Sequence, residues 1–286
     1  MGLLFNRRLL LLLLTMGWLL SAAAQVGISP RTLDVALDED GRSHSFRLFN
    51  LSENEYRVRI SVSHWTMDEQ NQVELIPSTA ESLDQWMIVN PLAFTIAAGE
   101  SQTVRVGFRP QLELAEGEYR AMVYFDQELP PDPKPESRQL RSRFRLGAAV
   151  YAHVGEIKPR ATIDEVTIEG SRVNITISNQ GNTHVRLDGQ WSIWSASDYP
   201  GATKTIQLSG LGKKDKPLPA GILAADWLPR TPVLPGHTRV IYFNLESLNA
   251  PVGSYILDMD AQFADAALDK AVEFDWAGHA ENQVDR

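Results

Sequence analysis

Between residues 28 and 154 apolar and polar residues alternate in short runs broken by turn residues, and this period of two constrains the fold more than any other feature. Side chains at every second position of a strand share one face. In Tyr56-Arg57-Val58-Arg59-Ile60-Ser61-Val62 the tyrosine and the three aliphatic residues therefore point to a core, while Arg57 and Arg59 stay in water. The same rule applies to Ser45 to Asn50 and to Phe94 and Ile96 ahead of the turn at Gly99. It holds again for Val104, Val106 and Phe108, for Tyr119 to Phe125, and for Leu140 to Val154 beyond a proline-rich loop at Pro130 to Pro135. Only Ser82 to Trp86 reads as a short helical turn. Strands at this spacing, with no helical stretches between them, predict a β-sandwich.

A second set of strands follows Lys158-Pro159-Arg160. Val173, Ile175 and Ile177 alternate with Asn174 and Thr176, and Asn179-Gln180-Gly181-Asn182 makes a turn. Val185, Leu187 and Trp191 to Trp194 follow, then Val240 to Phe243 after Pro235-Gly236, and Tyr255 to Leu257 after Gly253. The expected organisation is a leader over 1–24, an N-terminal immunoglobulin-like domain over 25–157 and a C-terminal β-sandwich domain over 158–286. Each domain has about 130 residues, an ordinary sandwich size. The halves share a phrase: a strand ending at Asn50 or Asn179, and later a glycine turn, at Gly99 or Gly236, followed by an Arg-Val pair, Arg105-Val106 or Arg239-Val240. One sandwich plan used twice and convergent strand chemistry explain it about equally well.

The start of the chain reads as an export signal. Arg7 and Arg8 precede an apolar run from Leu9 to Leu20 and the small residues Ser21-Ala22-Ala23-Ala24, the order of a cleavable secretory peptide with Gln25 as the expected new N-terminus. The apolar run falls short of the roughly 20 residues a spanning helix needs. Cysteine is absent, so an exported chain of this kind has no disulfides and relies on its hydrophobic cores. There are 36 acidic and 27 basic residues, for a formal net charge of −9, and two of the basic residues lie in the leader. Without basic clusters this balance argues against nucleic acid as a partner.

Signatures of catalysis are missing. No H-E-x-x-H, G-x-S-x-G or Walker loop occurs, and Gly210-Leu211-Gly212-Lys213-Lys214 lacks P-loop spacing. The six histidines show no metal-ligand spacing, and the carboxylates nominate no pair. The expectation is a protein-binding protein that is not an enzyme, with no cofactor, no metal and no small-molecule substrate. The segment that stands out is Leu140 to Leu146, with Leu140, Ser142, Phe144 and Leu146 on one face and three arginines on the other. An ordinary strand with a solvated basic face and a strand whose edge is offered to a partner both fit this pattern.

Several stretches together resemble the periplasmic pilus chaperones of the chaperone/usher pathway. Ile28-Ser29-Pro30-Arg31-Thr32 is similar to the family's first strand with its arginine, and Asn50 with Val58 to Trp65 resembles the next two. Asn90-Pro91-Leu92-Ala93-Phe94-Thr95-Ile96 with Gly99, Gln102, Val104 and Arg105 resembles its proline, apolar pair, glycine turn and Gln-x-x-Arg run. Gly117-Glu118-Tyr119-Arg120 resembles the start of the following strand, and Arg145 falls where the family has a basic residue on the last strand of its first domain. The family has lysine at that last position and large apolar residues where Glu136 and Arg138 stand, so the resemblance is to a divergent, non-classical branch or to a relative that has lost the donor role.

The resemblance implies a periplasmic protein that binds and caps pilus or fimbrial subunits and delivers them to an outer-membrane usher. Leu140, Ser142, Phe144 and Leu146 would be the donor strand that completes an unfinished subunit sandwich. Arg31 and Arg145 would anchor the subunit's C-terminal carboxylate, a task suited to the planar, permanently charged guanidinium. A structural or adhesive double-sandwich component of the same surface assembly is the alternative.

Overall fold

The computed structural model describes residues 26–37, 44–129, 143–205, 207–213, 217–246 and 248–278. The leader, Leu140 and Ser142 lie outside the described residues. In the first half the strands are β1 (Val26–Ser29), β2 (Thr32–Ala36), β3 (His44–Asn50), β4 (Tyr56–Ser63), β5 (Trp65–Met67), β6 (Val73–Leu75), β7 (Met87–Asn90), β8 (Ala93–Ile96), β9 (Ser101–Phe108), β10 (Gly117–Glu128) and β11 (Arg145–Val154). They form two facing sheets, β1-β3-β9-β7 and β2-β11-β10-β4-β8, with β5 and β6 as a separate hairpin. The first strand changes sheets at Pro30: β1 pairs with β3, and β2 runs parallel to β11. The alternation seen in the sequence is realised in β4, where Val58 and Ile60 are buried and Arg57 and Arg59 exposed. Phe46, Leu48, Val104, Val106, Val123, Phe125 and Val150 complete the core between the sheets. The short helical turn is a 3-10 turn at Leu83–Gln85, which buries Leu83.

The second half contains β12 (Ala161–Glu169), β13 (Arg172–Asn179), β14 (Asp188–Ser195), β15 (Ile222–Trp227), β16 (Thr238–Asn244), β17 (Gly253–Phe263) and β18 (Ala266–Trp276). Its sheets are β12-β13-β16 and β15-β14-β17-β18, around a separate core that includes Val173, Ile175, Ile177, Ile193 and Leu257. Trp191 stacks on Phe243 across that core at 5.1 Å between ring centroids. The chain is thus an all-β protein of two immunoglobulin-like sandwiches. Among the described residues no helix is long and apolar enough to cross a membrane.

The phrase shared by the halves has one structural meaning. Buried Asn50 donates through Nδ2 to the carbonyls of Asn54 (2.7 Å), Ile96 (3.2 Å) and Ala97 (3.0 Å), tying the end of β3 to the end of β8. Buried Asn179 donates in the same way to Thr183 and Val233, both at 2.8 Å. The backbone N–H of Asn50 reaches the carbonyl of Glu100, one residue past Gly99, and that of Asn179 reaches His237, one residue past Gly236. Both glycines have positive φ, 73° and 75°. Each asparagine both donates and accepts inside the protein, Asn50 Oδ1 from Ser52 and Asn179 Oδ1 from Gly181, the condition for burying an amide at low cost.

Candidate protein-binding edge and interdomain joint

Alternation predicts a strand from Leu140; Leu140 to Ser142 lie outside the described residues, β11 begins at Arg145, and Arg143 and Phe144 lead into it without regular strand geometry. On one side β11 pairs with β10 along its whole length, from Asp126↔Arg145 to Gly117↔Val154. On the other side β2 covers only Ala149 to His153. Among the described residues, the stretch from Arg145 to Ala148 therefore has a strand neighbour on one side only. Such an edge is a template for another chain.

Phe144 and Leu146 point inward at the open rim of the core and are only partly buried. Phe144 meets Tyr56 edge-on, with ring centroids 5.5 Å apart. They serve the domain's own core and still present apolar surface at the edge.

The two anchor candidates occupy adjacent strands at different levels. Thr32 pairs with Ala149, which sets Arg31 beside Ala148, three residues along β11 from Arg145. At about 3.3 Å of rise per residue the offset is roughly 10 Å. Arg31 is exposed in the bend that precedes β2. Arg145 already holds a carboxylate: its Nε and Nη2 both donate to Asp126, and its guanidinium lies 5.0 Å from the centre of the Tyr124 ring.

At the opposite end of β11 and β10 the two sandwiches meet. The Glu118 side chain is fully buried and crosses between domains: it accepts from the His184 backbone N–H (2.8 Å), from Thr183 Oγ1 (3.0 Å) and from His184 Nδ1. An ionised carboxylate only accepts, so Nδ1 carries the proton. Its second oxygen faces Arg120 Nη1 at 3.7 Å, an ionic contact beyond hydrogen-bond range. Burial by itself raises the Glu118 pKa, but the bonds from His184, with Arg120 behind them, outweigh it and hold the group below its ordinary 4.5.

Other contacts extend the joint. The His184 ring packs on Tyr151 at 4.1 Å between centroids, and burial pushes the Tyr151 phenol up to about 12. Arg186 lies over the other part of that ring, 5.2 Å from its centre. Leu234 of the second domain packs with Trp65, Met122 and Tyr151 of the first. The linker is bound to the Asn179 turn: Lys158 N–H donates to Asn182 Oδ1 (2.7 Å) and Gln180 N–H to the Arg160 carbonyl (2.7 Å). A Cβ on Gly181 would come within 2.5 Å of the Lys158 carbonyl, so only glycine admits this crossing. A second contact lies farther out, where Asn71 Nδ2 donates to the Val240 carbonyl (2.8 Å) and Arg239 Nη2 to the Met67 carbonyl (3.0 Å), joining the β5–β6 hairpin to β16.

Comparison by sequence finds no matching family model and no matching curated protein. Among solved structures, one similar chain comes from the chaperone–tip adhesin complex of CFA/I fimbriae biogenesis. It is 13% identical with a TM-score of 0.45, over 90% of this chain and 100% of that one. The YadV chaperone is 14% identical with a TM-score of 0.44, over 87% and 100%. A chain of the CsuC–CsuE chaperone–tip adhesion subunit complex from Acinetobacter baumannii is 15% identical with a TM-score of 0.44, over 87% and 98%.

Sequence reasoning did not single out the joint. Glu118 and His184 are 66 positions apart and belong to different domains. The sole signal was a carboxylate on the inward-running strand after Gly117.

Proposed function

We propose that this protein is a periplasmic chaperone that captures unfinished pilus or fimbrial subunits by strand pairing and hands them to an outer-membrane usher. The observation that carries the reading is the edge of β11 from Arg145 to Ala148, which has β10 on one side and no strand among the described residues on the other. A subunit lacking one strand exposes core and backbone, and a strand offered from outside supplies both. The bonded joint behind the edge supports the same reading, because an edge whose two domains are tied together by Glu118 and Leu234 loses less order on binding. Phe144 and Leu146 supply the apolar part of the donor surface, with Leu140 and Ser142 upstream.

The carboxylate anchor belongs to the proposal in a specific form. Arg31 is the open cation, and Arg145 joins it by exchanging Asp126 for the subunit's C-terminal carboxylate.

The test is co-expression of the chain with secreted proteins encoded beside it, capture from periplasm, and hydrogen exchange on the complex. A one-to-one complex with new protection at Arg145 to Ala148 is expected. Polymerisation of the chain by itself, or protection confined to other strands, would point to a structural component and refute the chaperone reading.

A further inference from the structure

The outer face of the β4–β10–β11 sheet, beyond the joint, carries a charge pattern that the capture of a strand does not by itself require. Register pairs Asp126 with Arg59 on one side and with Arg145 on the other, and pairs Glu128 with Arg57. Arg143, just ahead of β11, stands at the next level, since Gln127 N–H bonds to the carbonyl of Phe144. Directly paired residues share a face. The result is two rows across three strands, Arg59-Asp126-Arg145 and Arg57-Glu128-Arg143, lining one open groove. Each carboxylate takes one arginine, Glu128 with Arg59 and Asp126 with Arg145. Arg57 and Arg143 are left without an ion-pair partner among the described residues. On a chain of net charge −9 these rows form a local cationic surface, and it borders the free edge of β11.

We infer that this surface selects the strand that docks on β11: the preferred partner is an extended segment with acidic side chains at the alternate positions that face outward. The inference rests on the strand-capture reading. A strand added beside Arg145 would lie about 4.8 Å away, with its outward residues on the same face as Arg143 and Arg145. Opposite charges there favour pairing, like charges oppose it, and the groove's four arginines against the three carboxylates of Glu55, Asp126 and Glu128 set the sign.

The test uses the full mature chain and labelled peptides of about eight residues in which valine alternates with glutamate, glutamine or lysine. At about 50 mM salt the glutamate peptide should bind roughly tenfold more tightly than the glutamine peptide, and the lysine peptide most weakly. In the double variant Arg57→Gln/Arg143→Gln that preference should disappear while the melting temperature stays unchanged, because neither arginine holds an ion-pair partner among the described residues. Equal affinity for the glutamate and glutamine peptides, both lost when the edge amides of the peptide are N-methylated, would overturn the inference and leave strand capture standing. A glutamate preference that survives the double substitution would also overturn it. If no peptide bound, the strand-capture reading would fall together with the inference.

Discussion

Glu118→Ala tests whether the joint holds the two sandwiches as one unit. The substitution removes a fully buried carboxylate that accepts three hydrogen bonds from the other domain and leaves the His184 N–H without that partner. Removing one side of such a buried charged contact costs about 3 to 5 kcal/mol. Both acceptor oxygens and a single methylene are lost, all of them at the interface, so the cost falls mainly on the coupling between domains. Urea unfolding followed by tryptophan fluorescence should change from one cooperative step to two, since Trp65 and Trp86 report the first domain and Trp191 and Trp194 the second. Glu118→Gln, which keeps one acceptor, should have a smaller effect. The pH dependence has a definite sign. A carboxylate held below its ordinary 4.5 contributes fully above that value and loses its contribution as pH falls through the folded pKa. The joint should therefore loosen on acidification below pH 4.5, and the Gln variant should lack this part of the acid response. A single unfolding step with an unchanged midpoint in Glu118→Ala would refute the reasoning.

Asn50→Ala and Asn179→Ala should each destabilise their own domain by about 2 to 4 kcal/mol, from the loss of several buried hydrogen bonds apiece, measured as the midpoint of that domain's transition. Asp258→Asn should stabilise the protein. The Asp258 carboxyl is buried, accepts from Tyr199 at 2.8 Å and has its pKa raised by burial and by nearby Asp269. An amide keeps the acceptor and removes the charge, for a gain of about 1 kcal/mol near pH 7. Because a raised carboxyl penalises the fold only while ionised, that gain should vanish as pH approaches the ordinary 3.8. For the anchor, Arg31→Ala and Arg145→Ala should leave the melting temperature essentially unchanged while client affinity falls by roughly tenfold or more, and the double variant should add little if both hold one carboxylate. Asp126→Ala should raise client affinity by freeing Arg145; unchanged affinity in all of these variants would remove the anchor.

Whatever depends on which residues alternate was legible before any coordinates. Tyr56 to Val62 declares its inward and outward faces because the strand period is two for any strand, whatever it packs against. The roles of Asn50 and Asn179 were half legible: the repeated phrase was visible, but the carbonyls they cap, at Ile96 and Val233, lie 46 and 54 positions away. That Arg143 and Phe144 lack strand geometry could not be read, because alternation continues through them whether or not a neighbouring strand is there to pair.

Sequence alone thus determined the all-β class, the two sandwiches and the exposed arginines of β4 and β11, which follow from local period and turn chemistry. Tertiary structure decided which arginines Asp126 and Glu128 neutralise, which stretch of β11 is left uncovered by β2, and that Glu118 is buried against His184. Those outcomes depend on register and on domain docking, where one residue of slip exchanges the faces of a strand and a carboxylate's surroundings come from distant chain. A period of two specifies the face of every side chain and leaves its cross-strand partner to be set by the fold.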